Sequence, residues 1–416
     1  MTPDTMARGQ ATTLPHPNPP AVKVARKNPL PCYVILVHGV NDVGEAYSAQ
    51  EKGLCWGLSE RLDRNGDLKP AEYAIPMREE TSQPAIRKAN DLPGKVDQEP
   101  EQHCYRRTLR DDSYTPVIPF YWGFREEDGR IKKAKETWHG ELLDRDDNRL
   151  DKDGAKGGGP FVNASNCLPH MWAPGWKPPI PGLNLFASFS DKTHPLIKAT
   201  CYRRYQVLAA LRLAMLIRII RKRHPEAAIN VVAHSMGCLV ALLAQAFLMD
   251  NGEAPAHCLV MNNPPYSFPE NSLDRRLYQG INQTSRARIE TLKKIVKAFQ
   301  ERQATGPSLQ ELQHEKAATG LAGSRWGIKK NHATGDEITF AERDNRGKVY
   351  LYFTPHDRTV ALLNTQGIGW QGVPDSYTAE WKDAKGEKIA TTWTTLMEEL
   401  GISGFRQRLF MLKKRE

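Results

Sequence analysis

A serine hydroxyl is a weak nucleophile until a base takes its proton. Ser235 stands where a chain can hold one out for that purpose. Ile229-Asn230-Val231-Val232-Ala233 is mostly β-prone, His234-Ser235-Met236-Gly237 reads as a tight turn, and the apolar run from Met236 to Leu248 reads as a helix. A strand–turn–helix of this kind strains the serine backbone and needs small neighbours, because strand and helix approach closely there. Gly237 meets that need after the serine. Before it, Ala233 stands where the usual pattern has glycine, so the match is A-x-S-x-G. The pentapeptide alone is weak; its flanking strand and helix make it informative.

Acyl transfer at such a serine needs three further parts. The carbonyl under attack develops negative charge on oxygen and needs preorganised N–H donors. One comes from the residue after the nucleophile, here Met236; the other comes from an early loop that often begins His-Gly. His38-Gly39-Val40-Asn41-Asp42 follows a dense apolar run, so Val40 is assigned as second donor, with Gly39 and Asn41 as neighbouring alternatives. His38 itself reads as a loop-stabilising residue. Asp357, after the run Lys348 to Thr354, suits the acid that orients the base; the competing role for an Asp in this position is a helix N-cap. The usual chain order then calls for a histidine after the acid. The last of the 12 histidines is His356, beside the acid. His234 precedes the nucleophile and is expected to point away from the site. His332 and His356 are the remaining candidates. The favoured expectation is that the fold is cut short before its own histidine, since Arg406 to Glu416 shows no evident closing strand and helix.

The elements that must hold these residues alternate. Pro31 to Val37 reads as a buried strand and Glu51 to Leu62 as a helix. Tyr114 to Phe124 reads as an edge or broken strand because of Pro116 and Pro119. Tyr202 to His224 reads as a packed helix, apolar on most faces, whose basic last turn suits the negative helix end. Cys258 to Asn262 reads as a strand, Ser285 to Arg302 as a long helix, Lys348 to Thr354 as a strand, and the region near Thr392 to Leu400 as a helix. This alternation predicts an α/β fold, a doubly wound, mostly parallel sheet of the α/β-hydrolase type. Residues 1–29 read as a disordered leader before a domain over 30–416. Two large insertions, about 126–192 and 264–346, are candidates for a lid and a cap.

The chain has 416 residues and a net charge of +10, which favours anionic partners such as lipid head groups. Without a recognised module, that charge does not make a nucleic-acid binder. Seven cysteines with no C-x-x-C pair point away from zinc fingers and redox motifs and toward synthesis in a reducing compartment. No metal or other cofactor is expected. No secretory signal is legible at the N-terminus.

The runs GVNDVGEAY, GLCWGLSERL, PFYWGFREEDG, AHSMG, NNPPYSF and GIGWQGVP are similar, in order and position, to the third family of bacterial type VI secretion lipase effectors. The resemblance covers roughly residues 30 to 416. It implies an antibacterial phospholipase, made in the bacterial cytoplasm and delivered on the secretion spike, or through an adaptor, without a signal peptide. Such a protein acts at the membrane or periplasm of the target cell and is restrained at home by a cognate immunity protein. The nucleophile and acid roles carry over to Ser235 and Asp357. Family members usually continue into a C-terminal region that supplies the histidine. A non-catalytic, hydrolase-like binding module is the competing expectation.

Overall fold

The computed structural model describes residues 28–40, 46–64, 66–71, 112–125, 131–133, 142–143, 149–150, 155–156, 158–159, 161–175, 202–270, 278–301, 328–330, 334–339, 343–382, 385 and 387–411. The expected leader, save residues 28 and 29, lies outside them, as do Asn41, His332 and much of both insertions.

Six strands form the central sheet: β1 Tyr33–Val37, β2 Val117–Phe120, β3 Ile229–His234, β4 Cys258–Asn262, β5 Lys348–Phe353 and β6 Phe405–Leu409. Their order is β6-β5-β4-β3-β1-β2, and every pairing is parallel. The apolar run YVILV is buried from both sides, as a strand inside a parallel sheet must be. Its side chains alternate: Ile35 and Val37 join one core, Val34 and Leu36 the other. Pro119 sits in β2, an edge strand, where a missing N–H costs no ladder bond on the open side.

Helices cover both faces. On one side lie α2 Arg204–Arg223, α3 Met236–Asp250 and α4 Ser285–Glu301, which share the larger core. On the other, α1 Ala46–Arg61 packs Tyr47 and Cys55 against Val34, Leu36 and Val117. Helix α3 is apolar all round and buried nearly all round, from Met236 to Leu248. Helix α2 differs from its sequence reading. It buries Ala209, Ala210, Leu213, Ala214, Ile217 and Ile220, while Leu208, Leu211, Met215 and Ile219 face outward.

Helix α4 falls within the second expected insertion, but it is part of the core layer. Ile289, Leu292, Ile295, Val296 and Phe299 recur at helical spacing and are buried in the main core against β5 and α3. In the first insertion, residues 161–175 also lie against the body: Leu168, His170 and Met171 are buried, next to α2 and α3.

The closing region is corrected as well. Residues 406–416 gave no evident strand, yet α5 Leu396–Ile402 leads into β6, which pairs with β5 from Phe405 to Leu409. An edge strand can carry polar residues on its open flank. Arg406, Gln407 and Arg408 therefore hid it, while Phe405 alone is fully buried. The hairpin Tyr377–Lys382 with Lys388–Trp393 precedes α5, so Thr392 belongs to a strand and not to a helix.

Candidate active site

The sheet order places the candidate loops together. The chain runs from β1 outward to β2 and then back across to β3, so the loops after β1 and β3 diverge at their carboxyl ends. Crevices for ligands form at such switch points. Strands β3 and β5 flank β4, so their ends stand about 10 Å apart, two strand spacings.

Ser235 occupies the turn between β3 and α3 with φ 50° and ψ −126°. A non-glycine residue there is strained, and such strain persists only where the surroundings over-determine it. The Ser235 N–H donates to Asn262 O at 2.8 Å, and Ser235 O accepts from the Cys238 N–H at 2.9 Å. A side chain on Gly237 would press the His38 carbonyl and lie 2.7 Å from Val37 O. The requirement for a small residue after the serine is therefore met by contact with the end of β1. Ser235 is half-buried, and among the described residues no side chain hydrogen-bonds its hydroxyl.

The loop after β1 is fixed from several sides. The His38 N–H donates to Tyr47 Oη at 2.8 Å, and His38 O accepts from Trp122 Nε1 at 2.9 Å. The His38 ring stacks on Trp122 with centroids 5.3 Å apart. Its Nδ1 lies 2.7 Å from Gly39 O; a carbonyl only accepts, so Nδ1 carries the proton. His38 thus braces its loop, as its sequence reading had it. Gly158, with φ 84°, closes over the same loop: a Cβ there would stand 2.5 Å from Gly39 O and 2.9 Å from Val40 Cα. Val40 is buried against this contact. The Met236 N–H begins α3, where helix geometry leaves N–H groups without intrahelical acceptors.

Asp357 follows β5. Its Oδ1 accepts from the N–H groups of Thr359 and Val360, each at 3.0 Å, and its carbonyl accepts from Ala361. The capping role weighed against the acid is therefore present at one carboxylate oxygen. The turn is locked to the segment after β4: Ile368 N–H donates to Tyr266 O at 2.7 Å, Gly369 N–H to Pro264 O at 3.0 Å, and Gly367 N–H to Val360 O at 3.1 Å. A side chain on Gly367 would meet Pro265 Cα at 2.6 Å, so the runs NNPPYSF and GIGWQGVP touch.

The histidines separate. His234 ends β3 and lines, with Gly53 and Leu54 of α1, a cavity of about 440 Å³ on the α1 face; Ser235 does not line it. His356 is exposed beside Asp357, its N–H donating to Thr354 Oγ1 at 3.3 Å. Tyr47, Trp122, Gly158 and Asn262 are the positioning residues that reading the sequence did not single out. Tyr47, Trp122 and Asn262 lie inside the runs that carried the resemblance, Asn262 at the end of a recognised strand, and Gly158 lies in the stretch Gly157-Gly158-Gly159. Among the described residues no group of three or more His, Cys, Asp or Glu could hold a metal ion, and no helix is long and apolar enough to cross a membrane.

Fold and site together define an α/β protein that displays a strained serine at the carboxyl edge of a parallel sheet. Residues 30–374 match the family described as the T6SS Tle3 phospholipase effector domain, and the chain belongs to that family. It is 41% identical, over 433 residues, to the antibacterial effector protein Tle3 of Pseudomonas aeruginosa. That alignment covers 99% of this chain and 56% of the relative, so the chain spans little more than half of that curated protein's length.

Proposed function

We propose that this chain is the ester-hydrolysing region of an antibacterial type VI secretion effector of the α/β-hydrolase type, acting on membrane phospholipids through an acyl-enzyme. Ser235 Oγ attacks the ester carbonyl carbon while a base takes its proton. The N–H groups of Val40 and Met236 stabilise the oxyanion. The tetrahedral intermediate collapses, the lysophospholipid alcohol leaves with the proton, and water repeats the sequence on the acyl-enzyme. Asp357 orients the base: Oδ1 serves its own turn, which leaves Oδ2 for an imidazole. The gap between the ends of β3 and β5, about 10 Å, fits one such ring. His356 and His332 are the histidines of this chain to substitute first. Delivery through a spike or adaptor, restraint by an immunity protein and action at the target-cell membrane or periplasm belong to the same reading.

The observation that carries it is the positive φ of Ser235, held against the end of β1 by a glycine that no larger residue can replace. The test is fatty-acid release from phospholipid vesicles by the purified chain and by Ser235→Ala. The expected loss in the variant is at least about a thousandfold; equal release by both would defeat the proposal.

One observation favours a second reading, a module that binds without turnover: among the described residues no side chain hydrogen-bonds the Ser235 hydroxyl. That reading predicts unchanged toxicity and partner binding in Ser235→Ala.

A further inference from the structure

Helix α2 has two unlike faces. The inner one is packed; the outer one carries Leu208 at 60% exposure, Leu211 at 43%, Met215 at 52% and Ile219 at 42%. These four recur every three or four residues, so they form one stripe, about 16 Å long at 1.5 Å per residue. Exposed cations frame it: Arg204 before it, Arg212 alongside, Lys222 and Arg223 after it. The helix sequence contains no acidic residue. Where the chain enters the helix, Tyr202 is exposed, and the Arg203 N–H donates to the carbonyl of Ala173, next to the exposed Trp172, whose ring meets Phe247 of α3.

Apolar stripes of this size are normally buried, and an isolated exposed leucine would need no account. A continuous stripe ringed by cations, with aromatic residues at one end, suits the boundary between acyl chains and anionic head groups. The basic end of α2 also answers its own helix dipole, but that does not explain Arg204 at the opposite end or the four exposed apolar side chains. Resting on the phospholipid reading, we propose that the outer face of α2 docks the protein on an anionic bilayer. The geometry connects this face to the site. Tyr205 Oη, in the first turn of α2, donates to Gly158 O at 3.3 Å, and Gly158 packs on the loop of Gly39 and Val40. Docking the amino end of α2 therefore brings the oxyanion side of the site to the lipid surface.

The test uses the full chain carrying Ser235→Ala, so that lipid is not consumed, floated with vesicles of phosphatidylglycerol and phosphatidylcholine in equal parts, or of phosphatidylcholine alone. The parent is expected to float with the anionic vesicles and far less with the neutral ones. Met215→Asp with Ile219→Asp, and separately Arg204→Gln with Lys222→Gln and Arg223→Gln, are expected to lower anionic-vesicle binding at least about tenfold. Circular dichroism melts confirm that the variants fold. Equal binding by parent and folded variants, or no binding by the parent, overturns the proposal. So does a parent dimer that Met215→Asp dissociates while vesicle binding stays unchanged, which would assign the stripe to a second copy. Docking by the parent, with no lipid hydrolysis by the chain that retains Ser235, would sustain the docking face and sink the catalytic reading instead.

Discussion

Ser235 was legible because its neighbours obey two rules at once: β-prone residues lead in and an apolar helix leads out. The structure adds the cause of its strain, which is the contact between Gly237 and the carbonyl groups at the end of β1. Gly158 was not legible as a site residue, because a glycine run reads as loop until its partner is known. Its partner is the loop of Gly39 and Val40. Gly158→Ala would place a methyl 2.5 Å from Gly39 O in a backbone conformation, φ 84°, that alanine avoids. It is expected to lower kcat roughly tenfold to a hundredfold by displacing the oxyanion loop. Gly57→Ala in α1, with nothing within 4 Å of the new methyl, is expected to leave kcat alone and raise stability by about 0.5–1 kcal/mol. Steady-state kinetics and thermal melts on both variants check this; equal kcat in the two would remove Gly158 from the site. Asp357 was read as the acid against a competing capping role, and the sequence could not separate the two, since an Asp at a turn serves either; Asp357 does cap its turn.

At the scale of elements, parallel strands buried on both faces gave the clearest signal, and β1, β3, β4 and β5 fall where their apolar runs lie. Strand β6 was hidden because only Phe405 is deeply buried. Helix α4 was read as a helix but placed in an insertion that could form a cap, because its amphipathic stripe does not say which surface it covers; that stripe is buried in the main core. The segment of His170 shows what burial does beyond patterning. His170 stacks on Tyr278 with ring centroids 3.4 Å apart, and its Nε2 lies 2.9 Å from Asn282 Oδ1. Burial first, and then the Arg288 charge, push its pKa down to about 2. An unfolded histidine titrates near 6.5, so below that pH the unfolded chain takes up a proton that the native state refuses. The associated stability is complete above about pH 6.5 and falls as the pH drops toward the native value. Between pH 7 and pH 5 the loss is about 2 kcal/mol from His170 alone. His257, held down to about 4 mainly by burial, works in the same direction. Urea midpoints at the two pH values should converge in His170→Gln relative to the parent; an unchanged difference would show that His170 does not set the acid limb.

For the whole molecule, the family was legible from short runs because the structure makes them touch: the loop of His38 meets Trp122 of PFYWGF, and NNPPYSF meets GIGWQGVP. Motifs that build one rim are constrained together. The base was not legible, since the described residues bring neither remaining candidate onto Asp357: His356 is exposed beside it and His332 lies outside them. The central claim remains that Ser235 is an activated nucleophile. Its most direct test is intact-mass measurement of the chain after exposure to a fluorophosphonate, beside Ser235→Ala. One phosphonyl adduct on the parent and none on the variant is the predicted result. No adduct on the parent, or the same adduct on both, would contradict it.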